Sequence, residues 1–224
     1  MIKAFTLAEV LITLGIIGVV SAMTMPVLVN NVGEKEILSR LNKAYSLLSQ
    51  ATIMVSIDNP PDLWNMRTGN LQAAEQIYNY YKPYLKLAQD CGCGTRALGC
   101  WSEDATKALN GSVYTYGHEN GIGASYCAVR LVDGTNLSFD TWRASDLGVN
   151  SDYDIFFFYV DVNGDKKPNT LGRDVFQFVV TKEKGTLIPA GSGNDSAKCS
   201  VDDKSKEAGI DCAAKVLSEG KISY

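Results

Sequence analysis

Residues 3–26 read KAFTLAEVLITLGIIGVVSAMTMP. Between Phe5 and Val29 the one ionisable side chain is Glu9, set among aliphatic, small, hydroxylic and methionine residues. As a helix, positions 5–29 span about 37 Å, enough to cross a hydrocarbon core of about 30 Å. A carboxylate in such a core is poorly hydrated, so Glu9 either sits at the membrane edge or meets a partner within it. Met1-Ile2-Lys3-Ala4 is a short n-region, and the run after it is too long for a cleaved secretory signal. Lys3 favours a cytoplasmic start, which places everything after residue 30 outside.

Past Asn30-Asn31-Val32-Gly33 the apolar pattern changes period. Ile37, Leu38, Leu41, Tyr45, Leu48, Thr52 and Val55 recur in steps of three and four, with Glu34, Lys35, Glu36, Arg40, Asn42 and Lys43 between them. That spacing predicts an amphipathic helix over residues 30–56, continuing the apolar one, with a bend or loosening at Pro26 and Gly33. The alternative is an anchor, a kink and a separate second helix. Residues 57–224 then form an exterior domain. Asn59-Pro60-Pro61-Asp62 is a stop signal, and LQAAEQIYNYYKPYLKL (71–87) predicts a helix limited by Pro83. Its tyrosines Tyr78, Tyr80, Tyr81 and Tyr84 read as caps on a core, or as a surface-binding stripe.

Strand signals follow at Ser112–Tyr116, Tyr126–Val132, Thr135–Asp140, Ile155–Val162 and Val175–Thr181. They are rich in aromatic and β-branched residues, and Asp133-Gly134 predicts a two-residue hairpin turn between two of them. In order they suggest an antiparallel meander whose apolar face the amphipathic helix covers. The expected class is α+β.

The segment Ala4, Phe5-Thr6-Leu7-Ala8-Glu9, then Val10 to Gly18, resembles the N-terminal signature of the type IV pilin-like family, which includes type IV pilins and the pseudopilins of type II secretion and competence systems. The resemblance covers about 25 residues of the 224. It implies a leader of residues 1–4, cleavage between Ala4 and Phe5 by a prepilin peptidase, and N-methylation of Phe5. Alanine stands at Ala4 where family members usually carry glycine. Glu9 becomes the fifth mature residue and Pro26 the twenty-second, the family's usual place for a helix-kinking proline. In the family the glutamate is thought to meet the N-terminal ammonium of a neighbouring subunit, which assigns Glu9 and Pro26 to assembly. The implied fold is a long N-terminal helix on an antiparallel sheet, stapled by disulfides. The implied partners are other pilin-like subunits, in homo- or hetero-filaments, the peptidase, an inner-membrane assembly platform and membrane lipid. The implied location is the inner membrane, with the exterior domain periplasmic or at the cell surface after assembly.

Lys and Arg number 21 against 25 Asp and Glu, so there is no basic footprint and no nucleic-acid partner is expected. His118 is the sole histidine, and no G-x-S-x-G elbow is present, which disfavours triad hydrolases and histidine-rich metal sites. No enzymatic activity is expected. Cys91, Cys93, Cys100, Cys127, Cys199 and Cys212 all follow the apolar run, as disulfides of an exterior domain would. Cys199 with Cys212, and Cys127 with one of the other three, is the pairing favoured by position. A thiolate metal site at Cys91, Cys93 and Cys100 is the rival reading, although one intervening residue is short for structural zinc.

The segment DVNGDKKPNTLGRD (161–174) sets oxygen side chains at Asp161, Asn163, Asp165, Asn169 and Asp174. Asp-x-Asn-x-Asp matches the opening of calcium loops, so calcium is the candidate cofactor. The glycine position and the absence of a glutamate twelve residues on exclude an EF-hand, and the same residues also make ordinary turns. The leading expectation is a filament subunit of a type IV pilus or type II secretion system. The alternative is a single-pass, membrane-anchored extracytoplasmic binding module.

Overall fold

The computed structural model describes residues 6–64, 71–94, 99–102, 104–114, 127–143, 154–181, 185–193 and 198–224, and for 26–32, 142–143 and 154–155 the backbone alone. Ala4, Phe5 and His118 lie outside the described residues. The chain is α+β, with an N-terminal apolar helix, a six-stranded antiparallel sheet and three disulfides. It divides into two compact units, Met1–Glu36 and Ile37–Tyr224. Helix α1 (Leu7–Asp58) runs through both, and its backbone stays helical across Pro26 and Gly33 instead of breaking into two helices.

In the first unit, Leu7–Met25 is a 19-residue segment long and apolar enough to cross a membrane. At 1.5 Å per residue it spans about 28 Å. Its large side chains, among them Leu11, Ile12, Leu14, Ile16 and Ile17, are exposed.

In the second unit α1 changes character. Leu41, Ala44, Leu48, Ala51 and Val55 are all buried, in steps of three and four, with Ile37, Leu38 and Tyr45 packed at the margin. This strip lies on one face of a sheet built from β1 (Leu87–Cys93), β2 (Cys127–Leu131), β3 (Asn136–Arg143), β4 (Asp154–Asp161), β5 (Val175–Thr181) and β6 (Leu187–Pro189), paired in sequence order. Alternation along the strands sends Val129, Leu137, Phe139, Phe156, Phe158, Val160, Phe176 and Phe178 to that face. The ring of Tyr81 stands edge-on to Phe139, Phe156 and Phe158, and its hydroxyl donates to Thr52 Oγ1 of α1 at 2.8 Å.

Several expected elements differ. The helix over 71–87 stops earlier: α2 is Leu71–Tyr81, a 3-10 turn covers Lys82–Tyr84, and Leu87 already belongs to β1. Pro83 has no N–H to continue the helical ladder. Around residues 112–116 there is only an isolated bridge, Val113 to Lys107, among the described residues. Two further elements, β6 and α3 (Cys212–Glu219), stand where no sequence signal was marked. The Asp133-Gly134 connection is a three-residue turn, with Gly134 N donating to Leu131 O and Leu131 N to Thr135 O. Gly134 takes φ 86°, the left-handed residue that closes such a turn.

The sheet's second face carries a smaller cluster, Trp101, Tyr114, Tyr159, Leu171 and Val175. The segment Trp101–Tyr114 lies over it, and the hydroxyls of Tyr114 and Tyr159 share a hydrogen bond of 2.9 Å.

Candidate functional site

Two places carry chemistry that packing does not require. The first is the start of α1. Thr6 N and Thr6 Oγ1 both donate to Glu9 Oε2, at 2.8 and 2.9 Å, and Glu9 N donates to Thr6 Oγ1 at 3.3 Å. This is a capping box: the side chains at the N-cap and three residues on satisfy backbone donors that the helix leaves without partners. The T-x-x-E pattern ahead of the apolar run was a readable signal for it. Glu9 therefore has a local role that the membrane reading overlooks. Both acceptances fall on Oε2, and Oε1 takes part in none among the described residues.

The second place is the connection between β4 and β5. Asp174, fully buried, anchors it. Its Oδ1 accepts from Thr170 N at 2.6 Å, and its Oδ2 from Asn169 N at 2.8 Å and Asn163 Nδ2 at 3.1 Å. Asp161, also fully buried, accepts from Asn163 N through Oδ1 at 3.2 Å. Asp165 points elsewhere: it is exposed, ion-paired with Arg130 at 2.5 Å and bonded by Asn136 Nδ2 at 3.2 Å. The five oxygen-bearing residues thus split: Asn163 and Asn169 bond Asp174, Asp161 is tied to Asn163, and Asp165 faces Arg130 of β2. Among the described residues no group of three His, Cys, Asp or Glu converges as a metal site. Burial, and after it the negative charge of Asp174, pushes the Asp161 carboxyl up to about 8. Burial also raises Asp174, against the N–H donors that hold it down.

This connection is tied to its surroundings. Gly164 sits at φ 69°, and a Cβ there would meet Gly134 O at 2.5 Å, so the two hairpin ends touch through glycine. Arg40 of α1 donates to Asp133 O at 3.2 Å and Val162 O at 3.4 Å, reaching both turns, and Lys43 pairs with Asp133 at 2.7 Å. Arg40 is half-buried in this role, while Lys43 keeps an exposed side chain, as the polar side of the amphipathic helix implies.

The six cysteines form Cys91–Cys100, Cys93–Cys127 and Cys199–Cys212. Cys93 and Cys127 stand opposite each other in the β1–β2 register, so the bond joins neighbouring strands. No cysteine among them is free to hold a metal as thiolate. The tyrosine stretch is largely internal: Tyr78 and Tyr81 are buried, Tyr80 and Tyr84 pack at the margin, and the hydroxyls of Tyr78 and Tyr84 donate to Asp90 and Asp58. For Pro26 the backbone is helical. No protein-family model, curated protein or solved structure matches this chain.

Proposed function

We propose that the chain is a pilin-like filament subunit, processed between Ala4 and Phe5 by a prepilin peptidase and assembled through α1. The observation that carries this reading is Glu9: one carboxylate, with Oε1 outside the capping box, on an otherwise apolar and exposed helical surface, five residues from the Ala4–Phe5 junction. The capping box alone uses one of the two carboxylate oxygens. A second subunit's N-terminal ammonium would meet Glu9 in a low-dielectric setting, where a paired charge is tolerated and an unpaired one is heavily penalised. Such pairing rewards a single axial register. The amphipathic second half of α1, buried on a six-stranded sheet, supports the same reading by joining an apolar assembly helix to an exterior domain.

Glu9→Gln separates the two roles of the residue. Glutamine still serves in a capping box but cannot pair with an ammonium. The variant is expected to lose its leader and fail to enter filaments. Normal incorporation of a cleaved Glu9→Gln chain would overturn the pairing. Mass spectrometry of the mature N-terminus is expected to show methylated Phe5. Electron microscopy and secretion assays of cells lacking the chain distinguish a pilus subunit, whose loss removes fibres, from a secretion pseudopilin, whose loss retains exoproteins.

A further inference from the structure

Two of the three disulfides are crossed. Cys91–Cys100 and Cys93–Cys127 have sequence separations of 9 and 34 residues, and the second loop starts inside the first and ends outside it. Cys199–Cys212 closes with no cysteine between its ends. In the folded sheet a bulge enforces the crossing. Asp90 faces Val129 and Cys93 faces Cys127, so β1 takes three steps where β2 takes two. Gly92, at φ 67°, supplies the extra position, and its N–H donates to Asp90 Oδ1 at 3.0 Å. The same carboxylate accepts from the Tyr78 hydroxyl and pairs with Lys82 at 2.5 Å. Residues two apart on a regular strand share a face. Here the bulge parts them: Cys93 packs with Cys127 on the helix-covered core, and Cys91 packs with Cys100 and Ala128 on the second face. Cys100 and Cys127 are 0% exposed, so the pairing is sealed once the sheet has formed.

Before the sheet forms, chain length alone does not select this set. Cys100 lies seven residues from Cys93 and nine from Cys91, and closure entropy favours the two loops about equally. Cys93 reaches Cys127 about tenfold less readily than Cys100, by the three-halves power of the separations. Forming Cys93–Cys100 first leaves Cys91 to join Cys127. That set ties Cys91 to a first-face partner and Cys93 to a second-face one, the reverse of the arrangement at the bulge. With both bonds closed the cluster holds no thiol to attack them, so rearrangement needs an external thiolate.

We propose that the chain is a substrate of a thiol–disulfide isomerase in the compartment that oxidises it, acting on the cluster Cys91, Cys93, Cys100 and Cys127. The isomerase thiolate attacks Cys100 Sγ, breaks Cys93–Cys100 and forms a mixed disulfide, releasing the Cys93 thiolate. That thiolate attacks Cys127 Sγ, forming Cys93–Cys127 and releasing the Cys91 thiolate. Cys91 then attacks Cys100 Sγ, forming Cys91–Cys100 and returning the isomerase thiolate. As many bonds form as break, so the rearrangement transfers no net electrons or protons. Oxidation itself falls to a separate disulfide-carrying oxidant, which becomes a dithiol by taking up the electron pair and protons of each new bond. The bulge held by Asp90 and Gly92 then makes the crossed set the one that the sheet retains.

The test uses the full chain, reduced in denaturant and diluted into detergent with excess glutathione disulfide. The oxidised chain is then freed of oxidant and incubated with or without a catalytic amount of reduced protein disulfide isomerase. Connectivity is read by mass spectrometry of non-reduced peptides, with fragmentation between Cys91 and Cys93. Oxidant alone is expected to leave roughly half of the chains with Cys93–Cys100 and Cys91–Cys127, because the two short loops close about equally. Isomerase is expected to remove that set in favour of the crossed one. Cys199–Cys212 is expected in both arms. Cys93→Ser/Cys127→Ser leaves Cys100 one partner in the cluster and is expected to close Cys91–Cys100 without isomerase. The crossed set in nearly all wild-type chains after oxidant alone would overturn the proposal. So would an alternative set that isomerase leaves unchanged, or an equal dependence on isomerase in Cys199–Cys212 or in the double variant.

Discussion

Leu48→Ala tests the packing on which the exterior domain depends. Leu48 is 0% exposed, midway along the strip Leu41, Ala44, Leu48, Ala51 and Val55, and it belongs to the cluster that includes Phe139, Phe156 and Phe158. Truncation removes three buried carbons and leaves a cavity between a helix and a sheet, two stiff elements that cannot close on it. Leu→Ala at such sites costs about 2.7–5 kcal/mol. For a unit the size of Ile37–Tyr224, each kcal/mol moves Tm by roughly 2–4 °C, so the expected fall is on the order of 5–20 °C. Ile53 lies five residues further along the same helix and is 57% exposed. Ile53→Ala gives up little burial and gains slightly in helix propensity, so its expected effect is within about 0.5 kcal/mol. The assay is near-ultraviolet circular dichroism melting of the full chain in detergent, which follows the aromatic core and not the detergent-bound helix. Equal shifts for the two variants, or a larger one for Ile53→Ala, would refute the assignment of α1's buried face.

Three further outcomes follow from named contacts. Replacing Cys93 and Cys127 together by serine is expected to destabilise the domain by about 2–5 kcal/mol and to open the β1 edge first, read as early hydrogen exchange in Leu87–Cys93. Gly164→Ala places a side chain at φ 69° and a Cβ at 2.5 Å from Gly134 O, so a loss of more than about 1–2 kcal/mol is expected from denaturant melts, while Gly220→Ala, also at positive φ but in open space, loses only the backbone part. At Asp133, burial pushes the carboxyl up, but the Lys43 ammonium and the Thr135 N–H and hydroxyl outweigh it and hold the pKa below the usual range. A carboxylate lowered in the folded state contributes stability above its unfolded pKa, about 3.9, and loses it as pH falls through the folded value. Asp133→Asn is therefore expected to flatten the acid limb of the Tm–pH curve below about pH 4, and an unchanged limb would count against the pair.

Elements defined by short-range periodicity were readable in the chain. The three-and-four spacing of Leu41, Tyr45, Leu48, Thr52 and Val55 indicated the buried face of α1, and the aromatic and β-branched runs placed β2 to β5 within a residue or two at most ends. Strand β1 was not readable: LAQDCGC has neither alternation nor β-branched residues, and its exposed pattern is held by pairing and two disulfides. Strand β6 has three residues and forms only because β5 offers it an edge. Helix α3 hid in a polar tail because its apolar face is short, with Cys212, Ala213 and Val216 buried and Leu217 at the margin.

The sequence by itself determined where a carboxylate interrupts an apolar helix, because charge and hydropathy are properties of residues. Tertiary structure alone decided which cysteines face each other, since Cys93 meets Cys127 only after β1 and β2 pair in register. It also divided Asp161 from Asp165. The two lie four residues apart in one turn, yet one is sealed with an oxygen unpartnered and the other is drawn out to Arg130. Burial and partner are relations between distant segments, and no local pattern encodes them.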